Sequence, residues 1–192
     1  MTTTRFPRRT GLALAPVAAL FLATAAAAAD DKTQEVDAGG VKFQAPTAWK
    51  KTAPQSAMRR AQLKIEPAKG DEEGAELIVF AFPGGAGTVD ANVERWQRLF
   101  KDKDGNPPKA DVKTVKGKNT DVNRVELAGH YFPTTFPGQP PQADHENYRL
   151  VAGIVLTDNA GYFLRLVGPE KTVAAARADF DRLLGSIQVN EK

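Results

Sequence analysis

The 192 residues contain two histidines, His130 and His145, and no cysteine. This limits the chemistry available. Without thiolates there are no disulfides, no lipid-modified cysteine and no thiolate zinc site. Asp144-His145-Glu146 lines up three potential metal ligands, with His130 upstream. Adjacent residues rarely converge on one ion, and H-E-x-x-H is absent, so no metal site is expected. The serines, Ser56 and Ser186, lie outside any G-x-S-x-G setting. Ser186 falls at a helix end, where a structural role is ordinary. No catalytic residue and no cofactor is assigned.

Three other patterns fail on inspection. Pro83-Gly84-Gly85-Ala86-Gly87 stands between a strand and a helix, where phosphate loops sit. It matches neither phosphate-loop nor dinucleotide spacing, and reads as a turn before a helix cap. Asp102-Lys103-Asp104-Gly105-Asn106 begins like a calcium loop. Its glycine is misplaced, and Lys113 stands where the closing glutamate belongs. Lys109, Lys113, Lys116 and Lys118 alternate with Val112 and Val115, as on a solvated edge strand.

The more informative stretch is Tyr131 to Asn147, with Tyr131, Phe132 and Phe136 among Pro133, Pro137, Pro140 and Pro141. Loops this long are uncommon in compact domains and often functional. Prolines reduce the entropy lost on binding, and aromatics supply contact area. Tyr131, Phe136, His145 and Arg149 are therefore the candidate ligand- or partner-binding residues.

Charge bears on the partner. The chain carries 26 Lys+Arg against 23 Asp+Glu, a formal charge of +3 and a pI near 9.1. Arg5, Arg8 and Arg9 supply that excess, because residues 1–29 hold no acid. From Asp30 onward the charges balance, and a nucleic-acid partner is not expected. A basic start, an uncharged stretch from Gly11 to Ala29 and a small-residue end are the parts of a secretory signal peptide. Cleavage is expected near Ala29, delivering the chain to the periplasm or the extracellular space, with no stable membrane insertion afterwards.

Residues 30–38 read as a flexible leader. Val41–Ala45 and Arg60–Ile65 alternate like half-buried strands, and Leu77–Phe82 runs apolar like a central one. Thr88 or Asp90 caps a helix to about Phe100 with the stripe Val89, Val93, Trp96 and Phe100. Val112–Val115 with Val122–Leu127, and Tyr148–Thr157 with Tyr162–Val167, read as hairpins. Thr172 to about Leu184 forms a second helix with the stripe Val173, Ala176, Phe180, Leu183 and Ile187. A short strand over 187–189 follows. Hairpins imply a mostly antiparallel sheet of six or seven strands, and the doubly covered central strand implies helices on both faces. The expected class is α+β, a three-layer α-β-α sandwich.

Three landmarks line up with a known pattern: Phe43 to Pro46 and Trp49; Asn92-Val93-Glu94-Arg95-Trp96 after the Gly-rich turn; and Gly161-Tyr162-Phe163 through Gly168-Pro169 into the last helix. Together they resemble small exported bacterial proteins of the Mog1/PsbP-like group, over a single domain spanning 39–190. The resemblance implies an accessory or binding role rather than an enzymatic one, and with the export signal the expected protein works in the cell envelope through a protein partner. The alternative is an enzyme or small-ligand receptor with a pocket between sheet and helix, its polar groups His130, His145 and Arg149.

Overall fold

The computed structural model describes residues 1–2, 32–54, 56–134 and 143–190. The segment read as a signal peptide lies almost wholly outside them, as does Phe136. Among the described residues no helix is long and apolar enough to cross a membrane.

In chain order the strands are β1 (Thr33–Asp37), β2 (Val41–Pro46), β3 (Lys50–Lys51), β4 (Arg59–Ile65), β5 (Ala75–Pro83), β6 (Phe100–Lys101), β7 (Asp111–Lys116), β8 (Asp121–Tyr131), β9 (His145–Leu156), β10 (Ala160–Pro169) and β11 (Gln188–Val189). Helix α1 (Val89–Gln97) falls between β5 and β6, and α2 (Glu170–Gly185) between β10 and β11. The class is α+β, with every strand pair antiparallel.

The main sheet has eight strands, not six or seven: β3-β4-β5-β10-β9-β8-β6, with β7 also paired to β8. The two-residue strands β3 and β6 are too short to carry an alternation, so no periodicity reveals them. A separate sheet, β1-β2-β11, starts inside the expected leader. Strand β1 is an edge strand paired to β2, polar except for Val36, which is buried in the core. The Gln34 amide also donates to the Pro46 and Trp49 carbonyls at 3.1 and 2.7 Å.

Successive residues of the central strands point to opposite faces. Val151 and Val155 of β9 and Leu164 and Leu166 of β10 join one apolar cluster, with Val173, Phe180 and Leu183 of α2. Leu150, Ala152, Ile154 and Phe163 join another, with Val93 and Trp96 of α1. Close approach of α2 depends on Gly153, since a Cβ there would collide with Leu184 Cδ2. The expected α2 stripe is buried throughout.

Helix α1 is shorter than its periodicity predicts. Phe100, the last member of the stripe, is fully buried but belongs to β6 and pairs with Tyr131. At the other end the Thr88 hydroxyl accepts from the Ala91 amide at 3.2 Å. The Gly-rich segment is thus a capping turn, and the Ala86 carbonyl accepts from the buried Asn92 amide at 2.9 Å. Thr88→Ala should lower stability by about 1 kcal/mol in a urea melt.

Candidate functional site

The long connection leaves the sheet at the end of β8 and re-enters at the start of β9. Both ends are irregular. The β8–β9 register slips between Gly129 and Tyr131. Gly129 takes φ +150°, and a Cβ there would run into the Lys101 carbonyl oxygen of β6. Across from it, Asn147 takes φ 55°. Asparagine tolerates this left-handed conformation better than most residues.

The Asn147 kink has a direct consequence. His145 and Tyr148 are three residues apart, a spacing that simple alternation places on opposite faces. Here their rings stack with centroids 4.4 Å apart. Tyr131 lies parallel to Tyr148 at 5.9 Å and packs on Phe100 at 4.9 Å. Four rings from three strands therefore form one row that starts in the core and ends at the surface. Phe100 is buried; Tyr131, Tyr148 and His145 are partly exposed.

Carboxylates border the row. The Tyr148 hydroxyl donates to Glu73 Oε2 at 2.6 Å, and His145 Nδ1 stands 3.9 Å from the same oxygen. Burial, reinforced by the Glu73 carboxylate, pushes the Tyr148 hydroxyl well above the usual tyrosine value. It is a neutral donor, unsuited to act as a phenolate. Tyr148→Phe should cost about 1 kcal/mol while keeping the stack, as read by urea denaturation and by ring-current shifts of His145. At the opposite corner His130 Nε2 and Asp144 Oδ2 are 2.7 Å apart, joining the two ends of the connection. The His130 ring stacks on Phe132 at 4.4 Å, and Lys101 Nζ sits 4.9 Å over Phe132.

Two open clefts adjoin this row. The larger, about 800 Å³, is lined by Glu73, Asp144, His145, Tyr148, Glu170 and Lys171 among others. The smaller, about 410 Å³, is lined by Lys64, Glu76, Tyr148 and Val167. Tyr148 lines both.

Of the sequence-derived candidates, Tyr131 and His145 come together, with centroids 6.4 Å apart. Arg149 turns to the other face of the sheet. There it is bonded to Glu126 of β8 and Glu170 of α2. Its guanidinium belongs to a network running under α2. Glu126 also takes Arg124 at 2.8 Å and Arg177 at 3.4 Å, and Arg124 Nε bonds Asp181 at 2.6 Å. Arg149 thus fastens α2 to the sheet. Phe136 lies outside the described residues. Tyr148 and Glu73 were missed: only Asn147, as a left-handed-tolerant residue, hinted at the kink that assembles them.

The discarded patterns are accounted for locally. Ser186 accepts from the Gln44 amide and donates to the Leu183 carbonyl, both within 2.8 Å. Asp102 Oδ1 accepts from the Asp104 and Asn106 amides at 2.9 Å, closing a turn. Lys113 and Lys116 pair with Asp111 and Asp121 on the exposed strand β7 and its neighbour. Among the described residues no group of three His, Asp or Glu is placed to hold a metal ion.

No family model matches the chain, and neither does any curated protein sequence. Solved structures do. The cyanobacterial PsbP (CyanoP) of Synechocystis sp. PCC 6803, known from its solution structure, superposes with a TM-score of 0.51. The match covers 88% of this chain and 99% of that one, at 13% identity. The fold is PsbP-like. A crystal structure from Bacteroides thetaiotaomicron VPI-5482 is a weaker likeness, with a TM-score of 0.46 and 12% identity. It covers 84% of this chain and 49% of that one. The aromatic row lies at one end of the main sheet, on the side whose apolar cluster includes α1.

Proposed function

We propose that this chain is an exported, non-catalytic binding or accessory protein of the bacterial envelope. In this reading residues 1–29 are removed near Ala29, and a single PsbP-like domain that includes β1 ahead of the expected start at 39 works in the periplasm or outside the cell. The main sheet is the middle of three layers, with α1 and α2 outside it. The protein engages a protein partner through the surface where β8 and β9 meet their long connection.

One observation carries the reading. Tyr131, Tyr148 and His145 stack into a rigid, partly exposed row anchored on buried Phe100. Pre-stacked aromatics lose little freedom on binding and supply much contact area, as binding hot spots do. A second reading, a small-ligand receptor or enzyme, is favoured by the size of the larger cleft, which falls in the range of ligand sites. Its chemistry would come from His145, with Tyr148 as a donor.

Affinity purification from envelope extract separates the two. The mature chain should retain a specific protein, and Tyr131→Ala with Tyr148→Ala should reduce that capture about tenfold or more. Undiminished capture by the double variant would refute the docking surface. Turnover or tight binding of a metabolite, lost on His145→Ala, would establish the second reading instead.

A further inference from the structure

The side of the main sheet that carries α1 extends past the helix. Directly opposed residues in the antiparallel registers share a face, which fixes what lies there. One row across the sheet reads Lys50, Lys64, Glu76 and Val167, and the next reads Gln62, Ile78 and Arg165. Phe80 and Phe82 continue the face along β5. Phe80, Phe82, Glu76, Arg165 and Val167 are all partly exposed, whereas the same strands are buried on the α2 side.

Arg165 is the unusual member. Its guanidinium carbon lies 5.7 Å from the Trp96 ring and 6.0 Å from the Phe80 ring. Its Nε is buried with no hydrogen-bond partner, and it makes no ion pair among the described residues. Aromatic faces stabilise a cation without quenching its charge. A partly desolvated guanidinium held this way is pre-organised for a carboxylate. The one acid in these rows, Glu76, is already engaged, accepting from Gln62 and lying 3.9 Å from Arg59. A second observation points the same way. Lys50 and Lys64 stand directly opposite each other across β3 and β4, both exposed. Like charges so placed repel, a penalty that an anion between them removes.

We propose that this face docks an acidic protein segment, one of whose carboxylates pairs with Arg165. Apolar side chains flanking that carboxylate rest on Phe80 and Phe82. The two lysines steer its approach and accept a second acid at the β3 edge. The occupant is a protein carboxylate rather than a lipid phosphate, because the cation lies between apolar rings on a sheet face, where an apolar side chain can sit beside the charge. This surface adjoins the aromatic row, sharing the smaller cleft with Tyr148, but its cation, Arg165, is not a member of that row. A chain that binds through Tyr131 and Tyr148 alone would pass the earlier test and fail this one.

The test uses two amidated heptapeptides that alternate Leu or Phe with Asp in one and with Asn in the other. Each is titrated into the isotopically labelled chain while the Arg165 Nε–H and Trp96 indole resonances are followed. The Asp peptide should shift both, and bind about tenfold or more tightly than the Asn peptide. Arg165→Met should remove that preference, and Lys113→Gln, on the far edge strand, should leave it intact. The two-peptide comparison on the unaltered chain stands even where the Met variant folds poorly. Equal binding of the two peptides would overturn the proposal. So would shifts at Arg165 caused by phosphatidylglycerol vesicles but not by the Asp peptide.

Discussion

Glu126→Gln is expected to destabilise the chain by about 3–5 kcal/mol, the cost of removing one member of a buried charge network. The Glu126 side chain is 9% exposed and that of Arg124 4%. Three guanidiniums converge on this carboxylate: Arg124 and Arg149 by hydrogen bonds, and Arg177 at 3.4 Å. Without it the arginines repel one another where water cannot screen them well. Arg124 is already short of a partner at Nη1. The effect also depends on pH. Burial pushes the Glu126 carboxyl up, but the hydrogen bonds and charges of its arginines outweigh burial and hold it below its ordinary 4.5. The stability it supplies is therefore complete above pH 4.5 and is lost as pH falls through the lowered native value. Urea melts of both proteins at neutral pH and at successively lower pH should show the gap between them closing in acid. A constant gap would mean that the network is not what Glu126 contributes.

Phe180→Ala should cost a similar amount, about 3–5 kcal/mol, by a different mechanism. Phe180 is fully buried on α2 in a cluster with Leu164, Leu166 and Val151 of the sheet. Truncation loses the transfer energy of the ring and leaves a cavity that the helix cannot close, because the charge network pins α2 on one side. The loss should be independent of pH, unlike that at Glu126. Phe180→Leu, which keeps most of the volume, should cost under about 1.5 kcal/mol. A domain of this size has about 5–15 kcal/mol in total, so the Ala variant should melt at a visibly lower temperature.

The sequence made the core elements legible because their burial is regular. The run Leu77–Phe82 is apolar on both sides and is the interior strand β5. The stripe from Val173 to Leu183 is buried in α2 as its spacing predicts. Short and edge elements left no pattern: β1 buries Val36 and is otherwise polar, and β3 and β6 are two residues each. The site was half legible. Aromatics and histidine at the ends of a long connection marked Tyr131 and His145. Their association with Tyr148 depends on one residue, Asn147, adopting a left-handed backbone, which reverses the facing that alternation predicts. Arg149 shows the complementary difficulty. Alternation sets it apart from Leu150, yet says nothing about which face α2 will cover.

In the proposed function, the end of the sheet bearing Tyr131, His145 and Tyr148 contacts a protein. Site-specific photocrosslinking in intact cells checks this, with a benzophenone side chain placed at Phe132, next to Tyr131 in the chain, and, as a control, at the exposed Val112 of β7. A discrete protein adduct is expected from position 132 and not from position 112. The same adducts from both positions, or none from position 132 in cells that export the chain, would contradict it.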